Sequence, residues 1–165
     1  MSALEPGKIA PEIALPSLSG GPFSLEAARK RGPVVAAFFK VSCPTCQYTF
    51  PFLERLAQAY PEEKVTVVGV SQNEAKDTIA FAEKFGITFP LALDDTHSYP
   101  VSNQYGLTNV PTIFLISPDG KVEVTCVGWL RVDIDDVSKR LAAAAGVPPA
   151  KIFHHGEEAV EYMSA

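Results

Sequence analysis

Val34-Val35-Ala36-Ala37-Phe38-Phe39-Lys40-Val41-Ser42-Cys43-Pro44-Thr45-Cys46 is the stretch on which the fold turns. Its first six residues are continuously apolar, β-branched or aromatic, with no polar alternation. That pattern predicts a strand buried on both faces, started by Pro33. The Cys-x-x-Cys follows at once and opens a helical stretch to Tyr60. Phe50, Leu53, Leu56, Ala57 and Tyr60 recur there at three- and four-residue steps and make one buried face. Pro51 is expected to kink this helix, and Pro61 ends it. Cys43 therefore falls near a helix N-terminus, where free N–H groups and the macrodipole stabilise a thiolate. Cys46 comes one turn later, on the same side and deeper. In such an arrangement one thiolate attacks a disulfide and the second thiol resolves the mixed disulfide. Pro44 has φ pre-set for a first turn but supplies no N–H, so the Cys43 sulfur is expected to rely on the N–H groups of Thr45 and Cys46. Lys40 offers a positive charge three residues upstream, in a direction the sequence leaves open.

Upstream, residues 7–21 are rich in Pro, Ser and Gly and read as an irregular arm with a short strand at 13–15, turned by Gly20-Gly21-Pro22. Ser24 is the expected cap of a helix over 25–30, with Glu26 in its first turn; Ala27 stands where a full capping box would place Glu or Gln. Downstream, 65–70 reads as a second buried strand, 78–85 as a helix stopped by Gly86, and 89–93 as a short strand. A short helix is expected over 99–105 and a strand over 112–116. Ser117-Pro118-Asp119-Gly120 then turns into a strand over 121–127. A last helix covers 134–145 and stops at Gly146 and Pro148-Pro149. Strands alternating with helices, closed by a hairpin, predict an α/β domain with a mixed parallel and antiparallel sheet and helices on both faces. It spans 1–145, with a C-terminal extension over 146–165. From Lys151 that tail is either mobile or docked through Ile152, Phe153 and Tyr162.

The 165 residues suit one domain with a substantial core, and 47% apolar with 20% charged residues is ordinary globular composition. The net charge of −5 carries no basic block, which argues against a nucleic-acid partner. The apolar run at 33–39 is too short to span a bilayer, and 1–11 lacks the pattern of a signal peptide. The expected location is cytoplasmic, or periplasmic if an N-terminal signal has been removed. Three cysteines make no disulfide scaffold, and a close pair in a reducing compartment points to redox chemistry or metal binding.

These blocks resemble the TlpA/ResA-like branch of the thioredoxin superfamily, the AhpC/TSA or redoxin domains. The resemblance rests on Gly7-Lys8-Ile9-Ala10-Pro11, on Val34 to Phe39, on Cys43-Pro44-Thr45-Cys46 and on Phe50-Pro51. Val67-Val68-Gly69-Val70-Ser71, Phe85-Gly86-Ile87-Thr88-Phe89-Pro90, Tyr105-Gly106-Leu107, Val110-Pro111-Thr112 and 116–120 continue it in order. It implies a thioredoxin-like fold and thiol–disulfide exchange, with Cys43 and Cys46 catalytic. It also implies that Pro111 is a cis-proline facing the cysteines and that Val110 pairs with a substrate strand, Pro44 and Thr45 lying beside it. Gly128 resembles the small residue where backbone must approach the site closely. The expected partners are disulfide-containing proteins and an unidentified electron donor; a monomer is expected, with oligomeric state left open by the sequence, and the exchange is expected to need neither organic cofactor nor metal.

The chain also departs from that pattern. Ser42 stands where many relatives carry Trp. Ala37 and Thr49 stand where relatives place carboxylates that assist proton transfer at the second thiol. A thiol peroxidase is the alternative enzyme, yet neither cysteine satisfies the Pro-x-x-x-Thr-x-x-Cys pattern of peroxiredoxins. Lys40 and Ala36 occupy the Thr and Pro places before Cys43; Cys43 and Phe39 occupy them before Cys46. A redox sensor or zinc-binding module using Cys43, Cys46 and Cys126 is the other alternative, and it lacks an evident fourth ligand. Cys126 otherwise reads as a buried small hydrophobe. Asp94, Asp95 and His97 read as a solvated loop, His154-His155 as surface, and Trp129 as packing near the site rim.

Overall fold

The structure, a computed structural model, describes residues 2–19 and 21–165. Met1 and Gly20, the latter expected to help turn the chain, lie outside the described residues. Two short strands, β1 (Ala14–Leu15) and β2 (Phe23–Ser24), pair antiparallel ahead of the main sheet. Ser24 then caps α1 (Leu25–Arg29), its hydroxyl accepting the Ala27 N–H at 3.2 Å. β3 (Val34–Phe39) has every residue buried, as its unbroken apolar run requires. α2 (Pro44–Ala59) leaves it and carries Pro51 inside the helix. β4 (Thr66–Ser71), α3 (Ala75–Phe85) and β5 (Leu91–Leu93) follow. Gly86 ends α3 at φ 67°, a left-handed turn that suits glycine.

Next come α4 (Pro100–Gln104), β6 (Thr112–Ile116), β7 (Val122–Val127) and the short β8 (Trp129–Leu130). α5 (Arg131–Ala145) starts three residues before its apolar periodicity does, because its first turn is half-exposed and carries Asp133 at the positive end. The sheet runs β5-β4-β3-β6-β7. β4 lies parallel to β3 and β5 parallel to β4, whereas β6 and β7 pair antiparallel. Alternate side chains of β3 feed two cores. Val35, Ala37 and Phe39 meet α2, α3 and α5; Val34, Ala36 and Phe38 meet α1 and α4. The mixed sheet with helices on both faces is the expected architecture.

The loop after β5 departs from expectation. Asp94 is buried, and its carboxylate accepts the Ser102 N–H at 2.8 Å, the Ser102 hydroxyl at 2.7 Å and the Val101 N–H at 3.3 Å. It caps α4, whose preceding residue, Tyr99, lies in the left-handed region at φ 48° and makes no side-chain cap bond, having no short side-chain acceptor to offer. Asp95 and His97 are exposed as expected.

The tail is docked, and its last residues add β9 (Tyr162–Met163) antiparallel to β8. Ile152 is buried and Phe153 packs on Phe52 and Trp129, while Tyr162, expected as an apolar anchor, is exposed and joins through its backbone. Arg55 of α2 clasps Glu157 with two bonds of 2.7 Å and donates to the Ile152 carbonyl at 2.9 Å. Trp129 is fully buried and donates its indole N–H to the Val160 carbonyl at 2.6 Å.

Leu53→Ala removes a fully buried side chain between α2 and the sheet. It is expected to lower unfolding free energy by about 2–5 kcal/mol, read from urea denaturation. The hydrogen bonds from Arg55 hold the Glu157 carboxyl down to about 2, with the His154 N–H adding to them. A carboxyl depressed in the folded state stabilises above its unfolded value and loses that contribution as pH falls toward the folded one. Trp129 emission is therefore expected to report loosening of the tail as pH drops below the usual carboxylate range toward about 2.

Candidate active site

Cys43 caps α2, with φ −81° and ψ 118° just outside the helix. Its Sγ accepts the Cys46 N–H at 3.1 Å, the bond an N-cap side chain normally makes. Of the two N–H groups expected to hold this sulfur, Cys46 makes the bond; Thr45 forms none to it among the described residues. The same Sγ donates to the Val110 carbonyl at 3.5 Å. The Val110–Pro111 bond is cis, and the contact with Cys43 sets the loop entering β6 against the cap of α2. The sulfur sits between a helix donor and a loop acceptor and is half-buried.

Cys46 is fully buried beneath it. Burial pushes its thiol well above the usual range, helped by the Cys43 hydrogen bond. Ala37 and Thr49 are both buried, and the Thr49 hydroxyl donates to the Thr45 carbonyl at 2.7 Å. Position 49 thus offers a hydroxyl and position 37 a methyl group, and neither a carboxylate. Cys126 lies buried on β7, its thiol pushed up to about 12 by burial and then by the charge of Asp133. All three cysteines are unpaired.

A groove of about 470 Å³ opens beside Cys43. Lys40 and Gln72 line it from just past the ends of β3 and β4, Pro44 from α2, Tyr99 and Asn103 from α4, and Asn109 and Val110 from the loop before β6. Lys40 thus shares the groove with the Cys43 sulfur. Thr45, expected to face substrate, is buried; its hydroxyl donates to the Ser164 carbonyl at 2.7 Å, so the chain's own tail covers it. Gln72, Tyr99 and Asn109 were not singled out from sequence. For Gln72 there was a signal, since open α/β sheets place sites beyond the carboxyl ends of their parallel strands. Among the described residues no three His, Cys, Asp or Glu side chains are gathered closely enough to hold a metal ion.

The family model for AhpC/TSA matches residues 6–125, which contain β3, both cysteines, the cis-proline loop and most of β7. The chain belongs to the AhpC/TSA family. Within it, the thiol-disulfide oxidoreductase ResA of Geobacillus thermodenitrificans is 34% identical over 130 residues, 78% of this chain and 73% of that protein. Among solved structures, a candidate thiol:disulfide interchange protein DsbE from Chlorobium tepidum superposes with a TM-score of 0.75. It is 28% identical and covers 87% of this chain and all of that one. A secreted Mycobacterium tuberculosis disulfide oxidoreductase described as homologous to DsbE is 25% identical, with a TM-score of 0.64 over 79% of this chain and 94% of that one. This AhpC/TSA chain therefore has the thioredoxin-like fold and is a thiol–disulfide oxidoreductase. The expected cytoplasmic location finds no support among these relatives. No helix is long and apolar enough to cross a membrane among the described residues.

The burial contrast sets an order of reactivity. In the reduced protein at neutral pH, iodoacetamide is expected to alkylate Cys43 well before Cys46 or Cys126, as mapped by peptide mass spectrometry.

Proposed function

We propose that Cys43 and Cys46 are the working pair, with Cys43 attacking and Cys46 resolving. The observation that carries this reading is the half-buried Cys43 Sγ, held by the Cys46 N–H at the mouth of a groove, with a fully buried second thiol one turn below. The Cys43 thiolate attacks one sulfur of a substrate disulfide, an S–S bond to Cys43 forms, and the first substrate sulfur leaves as a thiolate. Cys46 then loses its proton and attacks Cys43 Sγ. The Cys43–Cys46 disulfide forms, the second substrate sulfur is released, and two electrons have passed to the substrate. An external dithiol donor restores the pair by the reverse exchange.

The proton of Cys46 is the difficult step, because its environment disfavours the charged form. With Ala37 and Thr49 offering no carboxylate, the departing substrate thiolate is the base that the chemistry itself supplies. The cysteine pair carries the electrons, so the exchange calls for neither metal nor organic cofactor. Disulfide-bearing proteins and small disulfides are the substrates, met at Val110, Pro111 and Pro44, and a single chain holds every residue of the site. An extracytoplasmic location suits this reading better than the cytoplasm, one relative being described as secreted.

Cys43→Ser is expected to abolish disulfide reduction, while Cys46→Ser keeps the first attack and accumulates mixed disulfides visible by intact-mass measurement. Substantial reduction by Cys43→Ser would overturn the assignment.

A further inference from the structure

We propose that the C-terminal segment 157–164 is a specificity-determining strap, which walls one side of the reactive sulfur and confines access to slender disulfides. These are small molecules, or disulfides on extended, flexible segments, rather than those set in folded protein surfaces. The inference rests on Cys43 being the attacking thiol.

The strap is built from contacts that lead step by step to the site. Arg55 and Glu157 clasp its base. Farther along, the Val160 carbonyl takes the Trp129 indole N–H and the Val160 N–H donates to the Tyr48 hydroxyl at 3.0 Å. Met163 then pairs with Trp129 across the β8–β9 ladder. The Ser164 carbonyl finally accepts the Thr45 hydroxyl, two residues from Cys43.

Gly128 joins the loop before β6 to the strap. Its N–H donates to the Pro111 carbonyl at 2.8 Å, next to the Val110 carbonyl that faces Cys43 Sγ. On its other side the strap lies so close that a Cβ there would stand 2.6 Å from the Met163 carbonyl oxygen. The backbone of Gly128 is thus sandwiched between the Pro111 loop and the strap. A partner approaching Cys43 from the β8 side meets chain already hydrogen-bonded in place. The open approach is the groove of Lys40, Gln72, Tyr99 and Asn109, about 470 Å³, and Ala165, the residue after the strap, stands in its lining beside Cys43.

The test uses the full-length protein and two substrates, hydroxyethyl disulfide and folded insulin, compared by kcat/KM. The strap is loosened stepwise with Glu157→Gln, then added Tyr48→Phe, then added Arg55→Ala, until exchange accelerates at the Arg131 amide, whose N–H the Glu161 carbonyl accepts at 3.0 Å. None of these residues touches the reacting sulfurs. The insulin-to-small-disulfide ratio is expected to rise at least about five-fold as the strap opens, the scale of change that loss of partly exposed bonds produces in an open population. Hydroxyethyl disulfide turnover and the iodoacetamide alkylation rate of Cys43 should stay unchanged. An unchanged ratio with accelerated exchange at Arg131 would overturn the strap, as would an equal rise for both substrates. The alkylation rate does not depend on turnover, so failure of the exchange reaction itself would be distinguished from failure of the strap.

Discussion

The junction between β3 and α2 is the constraint from which the rest of the site follows. β3 is the middle strand of five and is buried on both faces, so its direction is fixed by two cores at once. A helix leaving its end must present its unsatisfied N–H groups at the edge of the sheet. Cys43 occupies the cap there, and a sulfur accepts a hydrogen bond that Ser or Asp would ordinarily take. A helix cap and a thiol at the mouth of the groove are thus the same atom. The second thiol inherits the opposite environment because one helical turn carries it beneath the first and into the core.

Two features that are remote in sequence complete the surroundings. The loop before β6 enters beside the cap of α2 because β6 lies antiparallel to β3, so its start meets the end of β3. The tail returns because the end of α5 leaves the chain near Tyr60, whose hydroxyl joins Ser138 and takes the Ala150 N–H. From there Arg55, Trp129 and Tyr48 draw it along α2 toward the cysteines. The indole and guanidinium groups in this path satisfy buried or half-buried donors with tail carbonyls, which is why a segment without long secondary structure can stay docked.

Capping chemistry also explains where local reading fell short. Asp94 sits in a polar run, Asp94-Asp95-Thr96-His97, that looks like solvated loop. Nothing adjacent in sequence says that the N–H groups of Val101 and Ser102 will need its carboxylate. Thr45 was legible as a residue between two cysteines, and its hydroxyl's partner, Ser164, lies more than a hundred residues away.

What the sequence by itself determined is what periodicity and local chemistry can encode. The unbroken apolar run of β3, the three- and four-residue spacing of α2 and the position of Cys-Pro-Thr-Cys between them specify a strand, a helix and a thiol at the joint. Each depends on neighbours within a few residues. The tertiary structure alone decided that Cys43 Sγ faces the Val110 carbonyl, that Lys40 and Asn109 share a groove, and that the Ser164 carbonyl takes the Thr45 hydroxyl. Those are pairings across long sequence separations, made by single hydrogen bonds and close backbone approaches. No periodic pattern announces them, because each rests on one residue meeting one distant partner.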